Sequence, residues 1–395
     1  MSHTMTAARQ NAVPVTPDEN HHNPRLVFVD VLNVVSCIAV LMLHVSLNVF
    51  APERSHAWAQ AVAFQAVAIF AVPVFFMVSG MNLLGYRSRY STKAFIRKRL
   101  WRVGKALILA SICCYLLFVL FPQAFGTQAY ADSFGFIDFT KRFMTNNVND
   151  FYWFLYSIIY LYALTPLLSL AADNKRLMEY LIILTFAFAW GIPLLEHLGV
   201  GEQYFASSLN WPLYTSQDLL YFLLGYYLAH HAKLRLPSWA WLLIAACAAA
   251  AMFAMALRTN GYFAGARPMP TEYHNYAING SPIRVVESVA VFMLFAGIEP
   301  WLRSLPHHVL GMLRALSGAV LGVYLFHILT LNWLATNVHG AFGEALTRFP
   351  LLRLAIIYVV TTVIVIVGKI LIAKGMAILP GKPARNHNQR TTRDA

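Results

Sequence analysis

Apolar residues run in long blocks along this chain, at roughly 27–50, 59–85, 104–122, 151–170, 178–196, 214–230, 238–257, 283–299, 315–334 and 351–373, with short polar stretches between them. Each block is long enough, or nearly so, to cross about 30 Å of hydrocarbon at about 1.5 Å of rise per helical residue. A bilayer offers no water to backbone N–H and C=O groups, so such runs predict helices, which satisfy those groups internally. Tryptophans stand near the ends of several blocks, at Trp58, Trp101, Trp153, Trp211, Trp239, Trp301 and Trp333, as interfacial belts do. The pattern predicts an all-α, polytopic membrane protein of about ten transmembrane helices. The helical region spans 25–375, between a polar tail over 1–24, read as disordered, and a basic tail over 376–395. No internal repeat is evident, so an inverted-repeat transporter gains no support.

Composition agrees with the pattern. Hydrophobic residues make up 58% of the 395 positions and charged ones 12%, against about 25% charged in soluble domains. The first block ends Phe50-Ala51-Pro52, a poor cleavage site, so it is expected to stay in place as a signal anchor. Cys37, Cys113, Cys114 and Cys247 all fall inside apolar runs and lack metal-finger spacing; they read as small core residues, and no metal is expected.

Charge supplies a direction. Placing the N-terminus inside puts Arg9, Arg25, the dense run from Arg87 to Lys105, Lys175, Arg176, Lys233, Arg235, Arg303, Arg314 and the basic C-terminal tail on one side of the membrane. Basic residues gather on the cytoplasmic side of bilayers, so both termini are predicted to be cytoplasmic. The net charge of +13 then reflects topology and contact with anionic membrane lipids rather than nucleic acid.

Ionisable residues inside a membrane are costly and mark candidate chemistry. Asp30, Asn33, Cys37, His44 and Asn48 fall within an arc of about 60° on the first helix. His44 lies three turns, about 16 Å, beyond Asn33, in the outer half of the membrane. A neutral imidazole there can take a proton from an attacking hydroxyl; alternatively, it hydrogen-bonds between helices. In the first inner loop, Arg99 and Arg102 stand one turn apart on one face, so both guanidinium groups can grip a phosphate, with Lys98 beside them. Arg284 and Glu287, three residues apart near the outer start of the eighth block, either pair with one another or line an outer access route. No Walker phosphate loop, H-E-x-x-H motif or G-x-S-x-G elbow is present.

Several of these segments together resemble the acyltransferase 3 family of integral membrane O-acyltransferases. They are Asp30-Val-Leu-Asn33 with His44; Phe75-Phe76-Met77-Val78-Ser79-Gly80; Arg97-Lys98-Arg99-Leu-Trp101-Arg102; Trp153-Phe154 through Tyr160 to Pro166; and Tyr324-Leu-Phe-His327. The resemblance covers about residues 26–375 and looks nearest to small single-domain members of the enterobacterial common antigen type, which acetylate surface polysaccharides. Two positions depart from the family pattern: Asn33 stands where an arginine is usual, and Phe151 where a histidine is usual. The resemblance implies a bacterial inner-membrane enzyme that moves an acyl group, usually acetyl, from cytoplasmic acyl-CoA to a hydroxyl of an extracytoplasmic glycan or lipid-linked sugar. His44 would be the base, with Tyr324 or His327 as donors to the tetrahedral intermediate. Arg99, Arg102, Lys98, Asn33 and Ser79 would hold acyl-CoA, and Asp30, Trp153, Arg284 and Glu287 would contact the acceptor. The loss of the usual arginine at Asn33 keeps a second reading open, a non-catalytic transporter or exporter in a surface-polysaccharide pathway.

Overall fold

The computed structural model describes residues 25–200, 217–234, 236–265 and 267–378. The polar tail 1–24, Trp211 and the basic tail beyond Ile378 lie outside the described residues. No strand occurs among the described residues, and helices account for about four fifths of them. The main ones are α1 (Val27–Val45), α2 (His56–Ala68), α3 (Ala71–Leu83), α4 (Trp101–Leu120), α5 (Trp153–Leu168), α6 (Lys175–Phe186), α7 (Gln217–His230), α8 (Ser238–Thr259), α9 (Ile283–Gly297), α10 (His307–Asn337) and α11 (Pro350–Ile378). Eight helical segments among the described residues are long and apolar enough to cross a membrane. The sixth and eighth blocks of the sequence form the shorter helices α7 and α9. Large apolar side chains left exposed, such as Leu109, Leu120, Ile183, Leu167 and Leu371, belong to the lipid-facing surface of such a bundle.

The second apolar block is two helices rather than one. Pro73 has no N–H to offer Ile69, and the ladder is interrupted at Ile69–Phe70 between α2 and α3. The first helix is also shorter than its apolar run. It stops at Val45 because the Ser46 hydroxyl bonds back to the carbonyls of Met42 (2.8 Å) and Leu43 (3.2 Å). Gln65 of α2 then donates to the Leu43 carbonyl and to Ser46 Oγ, both at 2.9 Å. Asn48 falls in the following 3₁₀ turn, off the polar stripe, and donates to the Ala57 carbonyl at 3.4 Å.

α1 is the centre of the bundle, packed against α2, α3, α9, α10 and α11. Its first turn would leave orphan N–H groups in the protein interior. Glu299 answers them, accepting from Val27 N (3.1 Å) and Phe28 N (2.6 Å) while Arg303 holds the same carboxylate at 2.6 Å. Both ends of α1 are thus fixed by side chains from other helices, which fixes the height and rotation of Asn33 and His44.

α3 and α7 approach backbone to backbone. A Cβ on Gly80 would sit 1.8 Å from the Phe222 carbonyl oxygen, and one on Gly225 would sit 1.9 Å from that of Met77. Gly80 therefore explains half of the Ser79-Gly80 pair: the glycine admits α7, and the serine beside it faces the interior cavities described below.

The loop between α4 and α5 carries a short helix, Phe136–Met144, tied to the bundle by Asp138. Asp138 accepts from Tyr115 and from Arg142, each at 2.8 Å, and the Arg142 guanidinium lies 4.2 Å above the Tyr130 ring. Burial opposes ionisation of this carboxyl, but the two hydrogen bonds and the Arg142 charge hold it below the ordinary carboxylate range. Its folded value lies below the unfolded one, so its contribution is complete at neutral pH and is lost as pH falls from the ordinary carboxylate range through the lower folded value. A fluorescent probe on Ile137→Cys is expected to gain mobility on acidification. Adding Asp138→Asn should give high mobility at every pH; an unchanged acid transition in that variant would remove Asp138 from the lock.

Candidate functional site

The basic end of the bundle, cytosolic by the charge distribution, opens into a cavity of about 1150 Å³. Its cationic walls are Arg25, Arg87, Arg89, Arg99 and Arg102, against only two carboxylates, Asp30 and Asp173. Asp30 is already held by Arg25, through Nε to Oδ2 at 2.8 Å and Nη2 to Oδ1. Arg87 bonds to Ser169 Oγ and the Pro166 carbonyl, and Arg89 to the Asn82 carbonyl; these acceptors are neutral and leave both charges uncompensated. Arg99 and Arg102 are exposed and make no hydrogen bond or ion pair among the described residues. Such a vestibule is complementary to a polyanion.

Local structure sets the aim of these arginines. Residues Ile96–Leu100 form a single π-helical turn running directly into α4, a wide turn of the kind that recurs at functional sites. Across this junction Arg99 and Arg102 both reach the vestibule. Lys98 does not: it lines neither cavity and places its ammonium 5.6 Å from the centre of the Tyr90 ring.

The vestibule narrows to a second, mostly apolar cavity of about 230 Å³. Asn33, Val78, Ser79, Tyr162 and Ser317 wall both spaces and form the neck between them. Asn33 donates to Ser317 Oγ at 3.3 Å, joining α1 to α10 across the neck. Beyond it the cavity runs between Phe75, Phe154, Ile158 and Leu321 and ends against Tyr324.

Immediately behind Tyr324 lies a linked pair of imidazoles. His44 Nδ1 and His327 Nε2 are 2.7 Å apart, and the rings are near-parallel with centroids 4.8 Å apart. His327, fully buried, places Nδ1 2.7 Å from the Tyr324 carbonyl. A carbonyl can only accept, so His327 Nδ1 carries the hydrogen and its Nε2, in the neutral ring, is the acceptor. His44 Nδ1 must then be the donor, and the lone pair of His44 falls on Nε2, which has no hydrogen-bond partner among the described residues. The network thus selects the tautomer that a general base needs.

Phe151 completes the arrangement. Its ring stacks on His44 with centroids 3.9 Å apart, and its carbonyl accepts from the Tyr324 hydroxyl. The neighbouring Tyr152, almost fully buried, donates to the Leu325 carbonyl at 2.7 Å. Two tyrosines therefore pin the turn Asp150–Tyr152 to α10, and that turn clamps the His44 ring.

The other expected positions lie elsewhere. Tyr324 and His327 stand one turn apart, but the Tyr324 hydroxyl and His327 Nδ1 are both committed to backbone carbonyls, so neither is free to donate to an oxyanion. Asp30 faces the inner vestibule, not the outer side. Trp153 is exposed and lines neither cavity. Arg284 and Glu287 do not pair with one another; both are buried, Arg284 Nη1 donates to the Asn279 carbonyl at 3.5 Å, and Arg284 Nε and Glu287 Oε2 have no hydrogen-bond partner among the described residues. Arg284 instead lies 5.9 Å from the centre of the Tyr221 ring. Of the residues that the sequence reading does not single out for the site, Ser317 lies in no motif, Tyr162 lies within the Trp153–Pro166 segment without being marked, and Phe151 registers only as a departure from the family pattern.

The described residues thus form a multi-pass helical bundle in which a cationic vestibule leads past a polar neck into an apolar cavity, with a linked pair of imidazoles beyond it. The acyltransferase-domain family model matches residues 26–372. The chain belongs to this acyltransferase family and is a membrane acyltransferase. No curated protein and no solved structure shows a significant match to it.

Proposed function

We propose that the protein takes acyl groups, acetyl foremost, from cytoplasmic acyl-CoA and delivers them to a hydroxyl of an extracytoplasmic glycan or lipid-linked sugar across the bacterial inner membrane. The observation that carries this reading is the pair of joined cavities that runs from Arg99 and Arg102, past Asn33 and Ser79, to Tyr324, with the His44–His327 pair beyond Tyr324 and lining neither cavity. Coenzyme A combines a phosphorylated nucleotide with a long, thin pantetheine arm. The vestibule is wide and cationic enough for the first, and the neck narrow enough for the second.

In this mechanism the acceptor hydroxyl gives its proton to His44 Nε2 as its oxygen attacks the thioester carbonyl. The resulting imidazolium shares its charge through Nδ1–H with His327, whose own hydrogen is held on the Tyr324 carbonyl. Collapse of the tetrahedral intermediate breaks the C–S bond, and the departing thiolate takes the proton back from His44. The acyl group crosses the bilayer and coenzyme A returns to the cytosol, so no proton is gained or lost. His327 acts here as a positioning residue, since it touches His44 and not the reactants.

Two expectations test the scheme with labelled acetyl-CoA in proteoliposomes. Arg99→Ala and Arg102→Ala should each raise KM for acetyl-CoA about tenfold to a hundredfold, the effect of losing a charge-assisted hydrogen bond, with little change in kcat. His327→Ala should lower kcat by about 10²-fold or more while leaving that KM near its original value. His327→Gln, whose amide oxygen can still accept from His44 Nδ1, should recover part of the loss. Equal loss in both His327 variants would argue for a packing role alone. Uptake of a substrate into vesicles without consumption of acyl-CoA would select the exporter reading instead.

A further inference from the structure

We propose that the mouth of the vestibule is a subsite for the adenosine 3′-phosphate end of the donor, with Arg25 as the ligand of that phosphate. The inference rests on the acyl-CoA reading above and assigns a part of the donor that the neck cannot hold. Pantetheine leaves coenzyme A on the far side of the pyrophosphate from the ribose. If the arm enters the neck between Asn33 and Ser79, the pyrophosphate lies at the level of the free cations Arg99 and Arg102. The phosphorylated ribose and its adenine then remain near the mouth.

Arg25 is built to meet them. It lies two residues before α1 and lines the vestibule, and its side chain remains 57% exposed while that of Asp30 is 4% exposed. Asp30 engages the Nε and Nη2 edge only. A guanidinium has more donors than this carboxylate accepts, so the Nη1 edge is left for a second anion. The clamp also removes rotamer freedom that phosphate binding would otherwise have to freeze. The start of α1 is itself held by Glu299 and Arg303, so the whole assembly is rigid. Asn33, one turn beyond Asp30 on α1, can hydrogen-bond but brings no charge, which leaves Arg25, just before the helix, as the cation at this end of α1 that faces the cavity.

The test compares acetyl-CoA with acetyl-3′-dephospho-CoA in proteoliposomes made with and without anionic lipid. The wild type should show a KM about tenfold to a hundredfold lower for acetyl-CoA than for the dephospho donor. Arg25→Gln should abolish that preference by raising KM for acetyl-CoA alone, and Arg25→Lys should retain part of it. Binding of adenosine 3′,5′-bisphosphate to the purified protein, measured by calorimetry, should weaken in Arg25→Gln, whereas binding of adenosine 5′-monophosphate should not. An equal rise in KM for both donors would make Arg25 a purely structural anchor. An effect that follows the anionic lipid and ignores the 3′-phosphate would assign the guanidinium to a lipid headgroup. Either outcome overturns the subsite and leaves the acyl-CoA reading standing, whereas a wild type that transfers nothing from acetyl-CoA removes both.

Discussion

His44→Ala is expected to lower acyl transfer by about 10²–10⁴-fold, the range that a positioned general base contributes, with KM for the acyl-CoA donor nearly unchanged. The reason is specific to the hydrogen-bond network. His327 Nδ1–H is committed to the Tyr324 carbonyl, which makes His327 Nε2 an acceptor from His44 and leaves only His44 Nε2 with an open lone pair in this pair. His327 is fully buried, behind Tyr324 and α1, and cannot take over by rotating outward. In the proposed scheme the donor is gripped at the other end of the cavity system, by Arg99 and Arg102, which separates binding from chemistry. His44→Gln should be as inactive, since a carboxamide is not a base at neutral pH, and so separates loss of basicity from loss of volume beneath Phe151. Full activity in either variant would remove this histidine from the reaction.

The second large effect concerns folding. Gly225→Val and Gly80→Val are each expected to lower the melting temperature sharply or to prevent accumulation of folded protein. Even a methyl group at these positions would lie within 2 Å of a backbone carbonyl oxygen, 1.9 Å from Met77 and 1.8 Å from Phe222 respectively. Neither oxygen can move without its helix. Overpacking of a well-filled core typically costs about 1–3 kcal/mol when side chains can give way, and here the obstacle is backbone, so the loss should reach or exceed the top of that range. Gly104 and Gly311, which have nothing within 4 Å of an added Cβ, are the matched controls. Gly104→Val and Gly311→Val should leave the melting temperature within a few degrees of the original. A similar melting temperature for all four variants would mean that α3 and α7 are not in close contact.

Much of this architecture is legible in the chain. Continuous apolar runs of this length give helices because a helix satisfies its own backbone groups within the bilayer, and the density of arginine and lysine from Arg87 to Lys105 marks one end of the bundle. The spacing of Arg99 and Arg102 predicts a shared face, and both line one cavity even though a π turn precedes α4. Helix ends are less legible. The α1 boundary at Val45 depends on Gln65, a residue of another helix, and the break before α3 needs Pro73 to be weighed against an unbroken apolar run. Side-chain partners are less legible still. Lys98 belongs to the basic run by sequence and to the Tyr90 ring by geometry. Arg284 and Glu287 have the spacing of an ion pair yet do not pair with one another. Phe151 reads in sequence only as a departure from a motif, while in space it is the residue stacked on His44. Arg25 reads as a topological charge, while in space it is clamped on Asp30 and faces the vestibule. These relations join residues far apart in sequence, and no local spacing encodes them.

The most direct measurement of the central claim is a structure of the protein with a non-hydrolysable thioether analogue of acetyl-CoA. The account predicts the pyrophosphate on Arg99 and Arg102, the pantetheine arm between Asn33, Ser79, Tyr162 and Ser317, and the acyl carbon beside Tyr324, within hydrogen-bonding range of an acceptor hydroxyl on His44 Nε2. An analogue bound with its phosphates away from Arg99 and Arg102, or with its acyl end outside the neck and remote from His44, would contradict it.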